Sequence, residues 1–481
     1  MDTLDHALAA RSDAAPRRLL LVCAHFARTR HTGGIRWRAL ARDLTRMGWT
    51  LDVIAVDPTH PSEEHPGPPP EIAGVRLHLV SPDWWGQRAR LGAARLLGRL
   101  RPDPPPSESA ADDRQPGDAQ SDRQPGEASP ELPRPDRSLG AEARRTLVGA
   151  TEVMRDASWA RRALKVAREV VRDARPDVIV VTSPVHLSQR VGVALAEETG
   201  VPYLADFRDP LFYGRNAHDL SELDPVTRRV WEKLERQILS RAVACVDIAE
   251  GAQNAVAAGI AQHGLSAPPR HYIPNGYDPL PEPPARPDPE VFRVAYTGWL
   301  YPFMDVPALF AALGRFARRH GSGPERFRVD LMGTGETFRD APLAALAAAH
   351  GIGEHLALAG RQPPEVADKL QQRAAVLVAY DSVVSGGLCI PTKLYFYART
   401  YGDLLLLGKP EGAMAIEAAK IRQPVLDPAN PDALDHALDR AFARWSAGDY
   451  PAVLDAESLF DSRRSALAMD GLLRSLAEAR G

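Results

Sequence analysis

Short apolar runs recur along the first half of the chain at RLLLVCA (18–24), LDVIAV (51–56), VRLHLV (75–80), DVIVVTS (177–183), YLADF (203–207) and AVACVDI (242–248). These runs are short and β-like. Helical patterns separate them, and strand–helix alternation predicts a parallel sheet. A second series follows at FRVAYTG (292–298), FRVDLMG (327–333), LALAG (356–360), AAVLVAY (374–380) and DLLLLG (403–408). The expected fold is therefore α/β, with two doubly wound, Rossmann-like parallel-sheet domains and a cleft between them.

Proline punctuates this pattern twice. PLPEPPARPDPE (279–290) cannot hold a regular helix and reads as a stiff linker between an N-terminal domain (17–278) and a C-terminal domain (291–448), with 449–481 closing the chain. Residues 102–137 hold nine prolines, nine acidic residues and one large aliphatic, Leu132, so they have almost nothing to bury and are expected to be a disordered insert. DRQPG occurs there twice, at 113–117 and 122–126, as a duplication in a tolerant loop would leave it.

Composition narrows the function classes. With 481 residues, 44% hydrophobic and 25% charged, the chain is neither one small module nor wholesale disordered. A net charge of -3 gives no reason to expect a nucleic-acid partner. Cys23, Cys245 and Cys389 lie far apart, without disulfide or zinc spacing, which fits a reducing compartment and no metal. The first 16 residues lack an apolar core and the longest apolar runs are strand-sized, so neither a secretion signal nor a membrane span is expected.

Several polar motifs stand at predicted strand ends, where open α/β sheets bind ligands. Gly33 and Gly34 follow the first strand and precede a helical pattern, a place where backbone amides can approach a phosphate, although a plain turn explains them equally well. Trp37 occupies the third glycine position of the dinucleotide fingerprint and disfavours a dehydrogenase. His186 ends one strand; Asp206, Arg208 and Asp209 end the next. These residues can line a site, or Arg208 can simply pair with Asp206 or Asp209 while His186 stands exposed. In CIPTKLYFY (389–397), Thr392 and Lys393 open a helix; a lysine there suits a bound anion, with a solvated side chain as the alternative. WWGQRARLGAARLLGRLR (84–101) carries five arginines flanking an apolar arc of Trp85, Ala89, Ala93, Leu96, Leu97 and Leu100, the pattern of a helix on an anionic membrane or of one docked on its own sheet.

Together, the Gly-Gly loop, PDVIVVTSP, VPYLADFRDP, PNGYD (274–278), YTGWLYPFMD, MGTGE, GRQPPEV, PTKLYFY and GKP resemble, in order and spacing, the GT-B glycosyltransferases of the family-four-like type that often build bacterial surface polysaccharides. The resemblance covers most of the chain. It implies a nucleotide-sugar donor on the C-terminal domain, an acceptor on the N-terminal domain, and transfer with retention and without a metal or other cofactor. It implies Arg208 and Asp209 as catalytic residues, and Gly33, Gly34, Gly298, Arg361, Thr392 and Lys393 around the donor phosphates. Trp84, Trp85 and His186 fall on the acceptor or membrane side, and the closing FDSRRSALAMDGLL (460–473) resembles the last helix that returns toward the N-terminal domain. The expected partner is a lipid-linked or other large acceptor, met in the cytoplasm with or without docking at the inner face of the plasma membrane.

Three departures qualify this. GWLYPFMD (298–305) lacks the arginine and lysine that many relatives carry in that loop, and Phe396 and Leu388 stand where glutamates are usual. Losing such a charge-stabilising group can cost ~10² to 10³ in rate. An active transferase, with Arg361, Lys393 and Arg208 compensating, is the preferred reading. A degenerate GT-B protein serving as a binding or partner module is the alternative, and a nucleotide-sugar epimerase is third.

Overall fold

A computed structural model of the chain describes residues 3–11, 15–28, 32–60, 67–82, 139–215, 220–221, 223–280, 282–321, 323–381 and 387–479. The segment 84–101 and the insert 102–137 lie outside the described residues.

The first sheet has seven parallel strands, β1 (Arg17–Val22), β2 (Trp49–Val56), β3 (Val75–Val80), β4 (Val178–Ser183), β5 (Tyr203–Phe207), β6 (Ala244–Asp247) and β7 (Arg270–Tyr272), in the spatial order β3-β2-β1-β4-β5-β6-β7. Leu19, Leu21 and Cys23 face one layer, with Trp37, Leu40 and Leu44; Leu20, Val22 and Ala24 face the other, with Trp159, Ala163 and Val191. Both faces being covered accounts for the unbroken apolar runs.

The second sheet holds six parallel strands, β8 (Phe292–Thr297), β9 (Phe327–Met332), β12 (Leu356–Leu358), β13 (Val376–Tyr380), β14 (Asp403–Leu407) and β15 (Val425–Leu426), ordered β12-β9-β8-β13-β14-β15. The short pair β10 (Thr337–Phe338) and β11 (Ala341–Pro342) forms a separate antiparallel ribbon. The α/β fold of two doubly wound domains is the one expected. β7, β15 and the ribbon escaped the sequence pattern because runs of two or three residues carry no periodicity.

The chain crosses between the domains twice, side by side. Tyr277 N–H donates to the Phe460 carbonyl at 2.9 Å, and Ser462 N–H to the Tyr277 carbonyl at 3.0 Å. A Cβ on Gly276 would lie 2.7 Å from the Phe460 carbonyl oxygen, so the glycine of PNGYD lets the crossings touch. Residues of the proline-rich segment are fastened to the C-terminal domain: Trp445 Nε1 donates to the Asp288 carbonyl at 2.6 Å, and Ala285 N–H to Gln372 at 2.8 Å. The last helix (Ser462–Glu478) packs Ala466, Met469 and Leu473 into the first domain's core. There the buried Asp470 accepts from Trp49 Nε1 at 2.7 Å and from Arg474 at 2.7 Å.

Candidate functional site

In each sheet the connections leave in opposite directions from one central pair of strands, and the loops beyond their carboxyl ends bound a crevice. In the second domain that pair is β8 and β13. Gly298 ends β8 with φ 129°, and a Cβ there would lie 2.8 Å from both Cε and Nζ of Lys393. The missing side chain thus makes room for the lysine. Its amide is engaged by the Met332 carbonyl at 2.7 Å, so Gly298 acts through space rather than as a donor. Gly333, with φ 83°, abuts Gly298, and its amide donates to the Gly360 carbonyl at 2.5 Å, which joins the ends of β8, β9 and β12.

Thr392 opens a short helix, Thr392–Ala398, whose start leaves amides without intrahelical partners. Lys393, next in that turn, is half-buried, with Nζ 5.0 Å from the centre of the Tyr296 ring. Burial pulls its pKa down to about 8, and no carboxylate among the described residues opposes that shift. It is therefore not the fully solvated lysine of the alternative reading. Arg361 is exposed, one residue beyond Gly360 at the sheet edge. Leu388 and Phe396 pack against the apolar cluster of Leu394, Tyr395 and Met414, with the Arg399 guanidinium 5.4 Å from the Phe396 ring.

In the first domain the central pair is β1 and β4. Gly33 and Gly34 form a 3-10 turn ahead of the helix Ile35–Arg46, and a Cβ on Gly34 would sit 2.4 Å from the His25 carbonyl oxygen. Close approach to the loop after β1 thus explains Gly34 without a ligand. One turn on, Trp37 Nε1 donates to the buried Asp206 carboxylate at 2.7 Å, Arg36 Nη2 reaches it at 3.4 Å, and Arg36 also bonds the Pro274 carbonyl. Burial lowers the Arg36 pKa; Asp206 opposes this, and the neighbouring positive Arg208 adds to it.

The alternative expected from the sequence, an ion pair of Arg208 with Asp206 or Asp209, does not form among the described residues. Asp206 has Arg36 and Trp37, whereas Asp209 accepts from Cys389 Sγ at 2.9 Å, across the cleft. His186, in the turn after β4, is half-buried rather than exposed, edge-on to Trp231 at 4.8 Å between ring centres. Burial pulls its pKa down to about 4, with the Asp209 charge opposing, so the imidazole is neutral at pH 7. Asp209 and Cys389 thus connect the loop after β5 in one domain to the start of the Thr392 helix in the other. Trp84 and Trp85 lie outside the described residues.

Trp37, Arg36 and Cys389 were not singled out as site residues by sequence reasoning. In the sequence Trp37 only breaks a glycine pattern, and the fold reveals Asp206 as its partner. Among the described residues no three His, Cys, Asp or Glu side chains converge as metal ligands do, and no helix is long and apolar enough to cross a membrane.

A family model described as a glycosyl transferase 4-like domain matches residues 110–276. No curated protein matches the sequence. Among solved structures, a sucrose-phosphate synthase from Thermosynechococcus elongatus is similar at 14% identity with a TM-score of 0.62, covering 96% of this chain and 100% of that one. An E. coli trehalose-6-phosphate structure bound with UDP-2-fluoro glucose is 11% identical with a TM-score of 0.56, covering 96% and 97%. A UDP-forming α,α-trehalose-phosphate synthase from Burkholderia xenovorans is 13% identical with a TM-score of 0.56, covering 96% and 100%. These likenesses show the fold: the chain has the two facing domains of the GT-B glycosyltransferases that its motifs resemble.

Proposed function

We propose that this protein is a glycosyltransferase that moves a sugar from a nucleotide-sugar donor, held in the crevice between β8 and β13, to a lipid-linked or other large acceptor held against the first domain. The observation that carries the reading is Lys393, a half-buried ammonium over Gly298 with no carboxylate beside it among the described residues. An unneutralised cation at the start of a helix, at the strand ends, is what a diphosphate needs.

When the bond from the anomeric carbon to the diphosphate oxygen breaks, negative charge grows on the leaving group. Lys393 and the first amides of its helix would take up that charge, with Arg361 and Arg208 supplementing them from the two sides. In this reading Asp209 meets the reacting sugar or acceptor beside Arg208, and neutral His186 lines the acceptor side. Retention of configuration, independence of a metal, cytoplasmic placement at a membrane face and a role in polysaccharide assembly are proposed on the motif resemblance alone.

The test is calorimetric titration with UDP, GDP, dTDP and their sugar conjugates. One nucleotide class should bind, and Lys393→Ala should weaken it at least 10-fold without lowering the melting temperature. Binding by neither protein, or equal binding by both, would defeat the assignment. A second reading, a binding module that no longer transfers, is favoured by Leu388 and Phe396, whose side chains join the apolar core. It predicts that none of these nucleotides or conjugates binds, or that one binds with no release of free nucleotide in the presence of acceptor extracts.

A further inference from the structure

Most aromatic side chains of this protein are buried or half-buried. Among the described residues the exposed ones are Trp299, at 55% of its surface, and Tyr301, at 48%. Both belong to the loop that leaves β8 directly after Gly298, the residue that makes room for Lys393.

The loop is fastened at several points. The Trp299 carbonyl accepts from the Tyr296 hydroxyl at 2.6 Å, and Arg339 Nε donates to the Pro302 carbonyl at 2.8 Å. The Tyr301 ring stacks on Phe303 with centres 5.4 Å apart and planes within 5°. The six-membered ring of Trp299 rests against Gly335, where a Cβ would approach Cη2 to 3.3 Å. The aromatic surface is therefore exposed yet already ordered, so a ligand that covers it loses little to ordering the loop.

We infer that Trp299, aided by Tyr301, is a stacking platform for a pyranose ring of the donor or the acceptor, which makes it a specificity-determining element of the transferase site. A pyranose presents an apolar face of C–H groups and a rim of hydroxyls, and a flat amphipathic ring matches the first while leaving the second to solvent or polar groups. The patch consists of two side chains, far below the roughly 800 Å² per partner that a stable protein interface buries. Its place beside the lysine that would hold a diphosphate puts it within reach of the sugar bonded to that diphosphate. The inference rests on the proposed reading of the crevice as a nucleotide-sugar site.

The test compares wild type, Trp299→Ala and Trp299→Phe in calorimetric titrations with UDP, GDP and dTDP, with their glucose, galactose and mannose conjugates, and with the methyl glycosides of those sugars. Unchanged melting temperatures establish that the exposed substitutions leave the fold intact. Trp299→Ala is expected to lose about 10-fold in affinity for the sugar-bearing ligand while keeping that for the bare nucleotide, and Trp299→Phe to recover most of the loss. Loss for the nucleotide-sugar assigns the ring to the donor, and loss for the methyl glycoside assigns it to the acceptor. Equal loss with and without the sugar would give the stack to the nucleobase and overturn the proposal, as would unchanged affinity for every ligand. A wild type that binds no nucleotide would overturn the crevice reading, a result distinct from a wild type that binds and a Trp299→Ala variant that binds equally well.

Discussion

The Cys389 thiol donates to Oδ1 of Asp209 at 2.9 Å, joining the loop after β5 in one domain to the loop before Lys393 in the other. Two residues 180 positions apart thus meet across the junction of the two domains. Replacing the thiol by a carboxylate puts two like charges in contact. Cys389→Asp should open the cleft, read as a larger radius of gyration by solution scattering, while Cys389→Ser keeps the wild-type value. Identical scattering for all three proteins would mean that the contact does not hold the walls together.

Lys393 makes nucleotide binding depend on pH in one direction. Its pKa is pulled to about 8 in the folded protein, and an anion beside it favours the charged form. Affinity for a nucleoside diphosphate should be flat below pH 8, once the phosphate is fully ionised, and fall by up to ~10-fold per pH unit above it. Lys393→Met should remove the decline. Because a lysine ordinarily titrates at 10.5, the unfolded chain binds the extra proton between about 8 and 10.5, so the burial penalty on stability is present at lower pH and relieved across that window. Isothermal titrations at pH 7, 8, 9 and 10 decide the binding claim.

Gly298 has a left-handed backbone, and a Cβ there would meet Lys393 Nζ at 2.8 Å unless the lysine moved. Gly298→Ala should cost roughly 1–3 kcal/mol in urea unfolding. It should also displace the lysine and weaken diphosphate binding, whereas Gly360→Ala, with φ 51° but nothing within 4 Å of its Cβ, should leave the lysine in place.

Asp206 is the buried anchor of the first domain's strand-end cluster. Asp206→Ala would strand Arg36 in the interior and leave Trp37 Nε1 without its 2.7 Å acceptor. The loss of one partner of such a pair should cost about 3–5 kcal/mol. Chemical denaturation checks this, and a loss below ~1 kcal/mol would mean that solvent reaches the site.

The cluster also marks the limit of what the sequence reveals. Strand β13 is legible because Val376–Tyr380 is apolar at every position, and the helix at Thr392 because a proline precedes it. Asp206 is equally visible as a polar residue ending a strand, yet its partners at positions 36 and 37 belong to another β–α unit, and only the strand order brings them together. In sequence Arg208 stands close to both Asp206 and Asp209, and pairing by proximity in sequence gives the wrong ion pair. The same holds for Gly34, where a phosphate loop and a close backbone approach to His25 leave the same trace, and for Cys389, whose partner lies in the other domain.

A second contact between domains makes the last prediction. Glu417, fully buried in the C-terminal domain, accepts from the Tyr272 hydroxyl at 2.6 Å and the Glu250 amide at 3.2 Å, both from the N-terminal domain. Lys420 neutralises it at 3.2 Å, pairs with Glu250 at 3.1 Å, and lies 4.0 Å from the centre of the Tyr272 ring. One ammonium thus serves two carboxylates and an aromatic face on opposite sides of the domain junction, where a Cβ on Gly251 would already come within 2.8 Å of Ala413. Lys420→Met removes the cation that pairs with the buried Glu417 and should cost about 3–5 kcal/mol. Tyr272→Phe should cost less, because it removes a neutral donor. Since the two side chains touch, their effects should fall short of additivity by roughly 0.5–3 kcal/mol in a double-mutant cycle. Strict additivity would mean that Lys420 acts on Glu417 alone and not through the junction. Raising the salt concentration should change the coupling little, because a buried carboxylate is poorly screened.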